Sequence, residues 1–231
     1  KTFDVNLISL ATRVMVGLPC QRLKFNLLDL DYVGIKAPQF SFTRLQGADP
    51  TLGVEMSSTG EVACFGRNRY EAYLLALQST KFVLPGKTKN IFLSLGPSSS
   101  KEDFRECAAI LCKLGFNLYG TEGTAEVLGQ TDGVTIKTLH KPSSGKKPNS
   151  KDWLSNKKID LVVVIPDGFR TDDVSEGYLI RRNTVDYGIS LITNIKCAIM
   201  LVKALEWKVR TPDSPPCHIA EFYRGNKFSN F

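Results

Sequence analysis

From Asn90 onward, short unbroken apolar runs alternate with segments whose apolar residues recur at helical spacing. That alternation restricts the fold more than anything else in the chain. Asn90 to Leu95 (NIFLSL) and Ile159 to Ile165 (IDLVVVI) have no polar face, the pattern of strands covered on both sides. Phe116–Tyr119, Val134–Thr138 and Ile189–Ile192 are shorter strand candidates. Between them, Lys101–Leu114 places Phe104, Cys107, Ala108, Ile110, Leu111 and Leu114 on one helical stripe, with Gly115 as its C-terminal stop. Thr124–Leu128, Ser175–Tyr187 and Asn194–Glu206 read as further helices, the last capped by Asn194. The expected fold over residues 90–206 is α/β, a doubly wound five-stranded parallel sheet.

Residues 1–86 read differently. Val5–Val16 carries a helical stripe, Tyr32–Ala37 and Gln39–Phe42 look like short strands, and Arg67–Ser79 looks like a helix. The Gly- and Ser-rich stretch 51–66 reads as loop, and 85–90 as a linker. This is too little regular structure to close a core, so 1–86 is expected to be a partial α+β remnant of a larger domain. Residues 207–231 form a tail with no pattern.

A hydrophobic share of 42% with 23% charged residues excludes wholesale disorder. The longest apolar candidate, Ile189–Leu205, is interrupted by Thr193, Asn194, Lys196 and Lys203, so a soluble chain without a membrane partner is expected. The sequence opens at Lys1 with no charged-then-apolar leader, as expected of a processed or excised piece. Six cysteines show no C-x-x-C pair, which suits free buried thiols in a reducing, cytoplasmic setting. His140 and His218 are too far apart in sequence for a histidine-based metal centre.

The net charge of +7 is unevenly placed. Residues 137–158 hold seven lysines against the single acid Asp152. Trp153 is the only aromatic in that run and no arginine cluster accompanies it, so a small phosphorylated ligand fits better than nucleic acid.

In parallel sheets the ligand site lies beyond the carboxyl ends of the strands, which selects the loops to read. Loop one, Ser94–Lys101 (SLGPSSSK), combines small residues, hydroxyls and a cation, although it is not a P-loop. Loop two, Gly120–Ala125, sets Thr121 and Thr124 around Gly123, whose amide joins the hydroxyls. Loop three brings His140, Lys141, Lys146 and Lys147. An N-capped turn accounts for either of the first two loops alone; their convergence is what suggests an anion site. Side chains at these strand ends are expected to stand outside the core. Loop four, Ile165–Thr171, holds Asp167, a candidate general base, in a Pro-Asp-Gly turn, with Asp172 and Asp173 following. No nucleophile–base–acid set or metal-ligand set is written in the chain.

These residues carry a resemblance. The run KAPQFSFTRLQGADPTLGVEMSSTGEVACFG, Lys36–Gly66, resembles the end of the second ATP-grasp half of carbamoyl-phosphate synthetase large chains. LYGTEGTAEVL, GYLIRRNTVDYG and TNIKCAIMLVKAL resemble the carboxyl-terminal, methylglyoxal-synthase-like regulatory domain of the same enzymes. The resemblance implies the allosteric region of a glutamine-dependent synthetase of de novo pyrimidine biosynthesis, with UTP or phosphoribosyl pyrophosphate as effector. It implies effector contacts at Ser94, Lys101, Thr121, Thr124 and Lys141, to which the loop reading adds Gly123. The parent would use ATP and Mg; this piece would need no cofactor, carry no catalysis and partner the rest of its synthetase chain. Two positions depart from the family pattern. Val164 stands near where many members have an asparagine, and Lys141 where the N-acetylglutamate-binding form has a tryptophan. The alternatives are a urea-cycle-type domain binding N-acetylglutamate, and a lyase of the methylglyoxal-synthase class using Asp167.

Overall fold

Residues 2–20, 30–51, 58–167, 176–211 and 218–224 are described by the structure, a computed structural model. The apolar runs become strands β3 (Asn90–Leu95), β4 (Asn117–Gly120), β5 (Ile136–Thr138), β6 (Leu161–Ile165) and β7 (Ser190–Ile192), preceded by β1 (Val33–Gln39) and β2 (Gly60–Gly66). The five later strands form one sheet in the order β5-β4-β3-β6-β7. All four pairings are parallel, with Ile91 opposite both Leu118 and Leu161 and Leu161 opposite Ser190. Every residue of β6 is buried, which is why its sequence shows no alternation.

The helices are α1 (Leu7–Met15), α2 (Arg69–Gln78), α3 (Ser98–Asp103), α4 (Arg105–Lys113), α5 (Glu122–Leu128), α6 (Ser150–Ser155), α7 (Glu176–Asp186), α8 (Ile195–Arg210) and α9 (Ile219–Arg224). One sheet face packs Ile91, Leu93 and Leu161 against Phe104, Leu111, Leu128 and Leu201 from the α3–α4, α5 and α8 side. The other packs Phe92, Val162 and Val164 against Leu154 of α6 and Ile180 of α7. Helix α2 joins the first of these clusters through Leu74, so the amino-terminal region is built onto the sheet domain.

The structure differs from the sequence reading at four places. The expected helix 101–114 is two helices, starting at Ser98 after Pro97 and broken at buried Phe104. Gly115, at φ +80°, then completes a Schellman stop, with the Phe116 amide on Leu111 O at 3.0 Å and its own amide on Cys112 O at 3.0 Å. The glycine-rich stretch read as loop contains β2, which pairs antiparallel with β1 along its length. Inside the lysine run lies α6, capped by the Asn149 side chain on the Lys151 amide. Helix α8 continues to Arg210, and Asn194 caps it through the Lys196 and Cys197 amides.

The 85–90 stretch is not a free linker. The Asp160 carboxylate, just before β6, accepts from the amides of Gly86, Thr88 and Lys89 at 2.8–2.9 Å and from the Thr88 hydroxyl at 3.0 Å. Asp160→Asn is expected to cost about 1 kcal/mol, because a neutral amide accepts more weakly than a carboxylate. A urea unfolding midpoint measures it.

Of the described cysteines only Cys107 is buried; Cys20 and Cys197 are exposed, against the expectation of buried thiols. Burial pushes the Cys107 thiol up to about 11. Cys217 lies outside the described residues. Among the described residues no helix is long and apolar enough to cross a membrane. Helix α1 buries none of its apolar face: Ile8 is 81% and Met15 83% exposed. Phe222 and Tyr223 of α9 pack against Phe65, and Phe222 also against Tyr32, so part of the tail rests on the amino-terminal region.

Candidate functional site

Strands β3, β4 and β5 end side by side, with Leu93 opposite Gly120 and Gly120 opposite Thr138, so loops one, two and three leave the same sheet edge. Loops one and two are tied together by a buried hydroxyl. Thr124 Oγ1 accepts from the Leu95 amide at 3.0 Å and from the Thr121 hydroxyl at 3.1 Å. Both threonines are buried, Thr124 completely. The expectation that these side chains stand outside the core fails for them: their hydroxyls serve the loop junction first.

The amides of loop two divide in the same way. Those of Thr124 and Ala125 go to Thr121 O at 2.9 and 2.8 Å. No acceptor among the described residues takes the exposed Gly123 amide. Lys101, half-buried on α3, reaches over this point: a Cβ built on Gly123 would stand 3.8 Å from its ammonium nitrogen. Lys101, Thr121, Gly123 and Thr124 therefore converge at one place.

Ser94 and Lys141 are less directly placed. Ser94, half-buried and opposite Val164, points to the sheet face away from Leu93 and Leu95. Lys141 is exposed at the mouth of loop three, where its carbonyl is held by Asn149 Nδ2 at 2.9 Å and by the Ser144 hydroxyl at 2.9 Å. The Val164 departure proves to be structural, since that side chain is buried in the α6–α7 face of the core.

A contact not foreseen in the sequence, through Glu122, joins loops two and three. Glu122 Oε1 lies 2.8 Å from His140 Nδ1 and 3.7 Å from Lys146 Nζ. The His140 hydrogen bond, then the Lys146 charge, hold the Glu122 carboxyl below the usual range. Lys147 pairs with Asp152, and Lys158 lies 5.4 Å from the Trp153 ring centroid. Lys101 and Lys141, by contrast, have no carboxylate partner among the described residues. The only sequence signal for the Glu122 contact was its place between the two loop-two threonines.

Loop four closes against loop one at the switch point of the sheet. The Gly96 amide donates to Ile165 O at 3.0 Å, and a Cβ on Gly96 would fall 2.8 Å from the Asp167 Cβ. Asp167 is exposed. The expected acids Asp172 and Asp173 lie outside the described residues. Elsewhere, a mostly apolar cavity of about 580 Å³ lies between β1, α2 and the β7–α8 turn, lined by Phe42, Tyr73, Phe82, Thr193 and Cys197. It contains none of the six expected effector residues.

Residues 103–193 match the family described as the MGS-like domain. This part of the chain is an MGS-like domain. The multifunctional protein URA2 of Saccharomyces cerevisiae is 42% identical over 214 residues, covering 89% of this chain and 10% of URA2. A mitochondrial carbamoyl-phosphate synthase [ammonia] from Aquarana catesbeiana is 41% identical over 217 residues, covering 90% of this chain and 14% of that protein. The methylglyoxal synthase of Elizabethkingia anophelis NUHP1 superimposes with a TM-score of 0.40 at 15% identity, over 57% of this chain and 88% of its own. The family match and the 41–42% identities bear out the resemblance to carbamoyl-phosphate synthetase large chains. The chain spans 10% and 14% of the lengths of these two curated relatives.

Proposed function

We propose that this chain is the allosteric region of a carbamoyl-phosphate synthetase of the pyrimidine pathway, and that it binds a phosphorylated effector between loops one and two. The observation that carries this reading is the state of the cations. Lys146 and Lys147 are engaged by acids, whereas Lys101, standing over the open Gly123 amide, is not. An unpaired ammonium beside an unused amide favours an oxyanion. URA2 and the ammonia-type synthase match almost equally, so identity does not choose the branch. Lys141 favours the pyrimidine branch, since a cation in place of tryptophan suits a phosphate better than an acetyl group. Catalysis belongs to the parent. Helix α1, with Ile8 and Met15 exposed, suits burial against the rest of a synthetase chain.

Calorimetry with UTP, phosphoribosyl pyrophosphate and N-acetylglutamate tests the reading. UTP or phosphoribosyl pyrophosphate should bind, and Lys101→Ala or Lys141→Ala should each weaken binding on the order of ten- to a hundredfold, the worth of one charge-assisted hydrogen bond. Tight binding of N-acetylglutamate with neither phosphorylated ligand bound would reassign the branch. Turnover of dihydroxyacetone phosphate, abolished by Asp167→Asn, would make the chain a lyase.

A further inference from the structure

We infer that helix α7 is the mechanical link between the effector loops and the amino-terminal segment 42–49, with Arg181 and Arg182 as its positioning residues. The inference rests on the effector site proposed above and assigns the route by which occupancy of that site reaches the synthetase-derived half.

One face of α7 is devoted to a single stretch of the other half. Tyr178, Arg181 and Arg182 follow at the i, i+3, i+4 spacing that puts side chains on one face of a helix. The Tyr178 hydroxyl donates to Gly47 O at 2.8 Å. Arg181 grips Asp49 with two nitrogens, at 2.8 and 2.5 Å. Arg182 donates to Leu45 O and Ala48 O at 3.0 Å each and to Phe42 O at 3.1 Å. Both arginines are buried. Apart from a single 3-10 turn, Phe42–Arg44, the segment has no regular structure; the Leu45 and Ala48 amides reach Phe42 O and Leu45 O at 3.1 and 3.3 Å, and the helix supplies a second donor to each and the donor of Ala48 O.

The first residue of the same helix touches loop three. Glu176 Oε1 accepts from the Ser143 hydroxyl, two residues after Lys141. Its other oxygen, Oε2, is buried with no hydrogen-bond partner among the described residues. A carboxylate left half-satisfied in this way gains from any movement that brings it a donor. A phosphate that draws Lys141 inward moves Ser143, and with it the first turn of α7. Glu176 and Arg182 lie six residues apart, roughly 9 Å along one helix, so the helix carries such a shift as one rigid element. The arginines then carry it to residues 42–49. Coupling of this kind is reciprocal, so loosening the far end must change affinity at the near end.

Hydrogen–deuterium exchange of peptides covering 42–49, with calorimetry on the same 231-residue chain, tests the link. In the wild type, saturating UTP or phosphoribosyl pyrophosphate should slow exchange of 42–49 roughly threefold or more, the scale of a modest allosteric coupling. Asp49→Asn should remove that response and weaken binding of the same probe about fivefold, although Asp49 belongs to neither loop. Glu176→Gln should do the same from the other end, and Asp49→Glu, which keeps the carboxylate, should restore part of the response. If a probe binds but 42–49 does not respond, or if both variants leave affinity and response unchanged, the link is wrong and the effector site stands. If the wild type binds neither probe, site and link fall together. Should Asp49→Asn lose its native circular dichroism, Glu176→Gln decides alone.

Discussion

Arg182→Met should lower the stability of the chain by about 3 kcal/mol, the low end of the range for breaking a buried, hydrogen-bonded charge. The side chain is only 9% exposed, and its removal takes away the donor of the Ala48 carbonyl and leaves the carbonyls of Phe42 and Leu45 only the Leu45 and Ala48 amides, at 3.1 and 3.3 Å. Methionine fills much of the space, so packing contributes little to the loss. Asp186, 50% exposed, returns to water once its partner is gone, which is why the low end applies. For a chain of this size the thermal midpoint should fall by roughly 6–12 °C. Asp186→Asn should cost less than about 1 kcal/mol, since it removes only the solvent-facing half of the contact. A loss below about 0.5 kcal/mol for Arg182→Met would mean that the carbonyls find water instead.

The neighbouring pair adds a pH signature. Burial pulls the Asp49 carboxyl upward, but the Arg181 hydrogen bonds and charge, together with Thr51, outweigh it and leave the group below its ordinary range. A depressed carboxylate contributes fully above its unfolded value and loses its contribution as pH falls through the folded one. The stability difference between wild type and Asp49→Asn should therefore be flat from about pH 8 to 5 and shrink only below about pH 4. Arg182 holds carbonyls, which do not titrate, so the difference for Arg182→Met should keep most of its size there.

The sheet was legible because burial on both faces writes itself into composition: β6 is LVVVI, and nothing polar is needed to pattern it. Strand β2 was not, because its burial is confined to one end, where Phe65 and Gly66 meet α2, and its flanks are glycine and serine. Helix α6 was hidden for a related reason. Its only apolar side chains are Trp153 and Leu154, and the burial of Leu154 with the Asn149 cap outweighs a lysine-rich sequence that reads as solvated loop. Arg181 and Arg182 look like surface charges in sequence, since the partners that bury them lie more than 130 residues away. Loops one and two were found from residue types alone, but not the order of their priorities. Their threonines read as donors to a ligand, whereas the group that claims the Thr124 hydroxyl is a backbone amide, which no side-chain pattern reveals.

That priority makes Thr124→Val a sharp experiment. Valine keeps the shape of threonine at a fully buried position and adds apolar surface, so on hydrophobic grounds alone the variant should be at least as stable as the wild type. It also removes the acceptor of the Leu95 amide, 3.0 Å away, and of the Thr121 hydroxyl. Leu95 is buried, so its N–H has no water to turn to. An orphaned buried donor costs about 1–3 kcal/mol, and with two donors affected the loss should lie near 2–3 kcal/mol. Thr124→Ser keeps the hydroxyl and loses one methyl group, a cost of roughly 1 kcal/mol. The expected order is therefore wild type, then serine, then valine, in urea unfolding with unchanged slopes. Calorimetry separates the second consequence: under conditions where the valine variant is still folded, UTP or phosphoribosyl pyrophosphate should bind it several-fold more weakly than the serine variant. The reason is geometric, because the tie between Leu95 and Thr124 is what holds the start of α5 beneath Lys101. If valine proves as stable as threonine, the hydroxyl is not the joint between the two loops, and the convergence of Lys101 and Gly123 must be held by their helices alone.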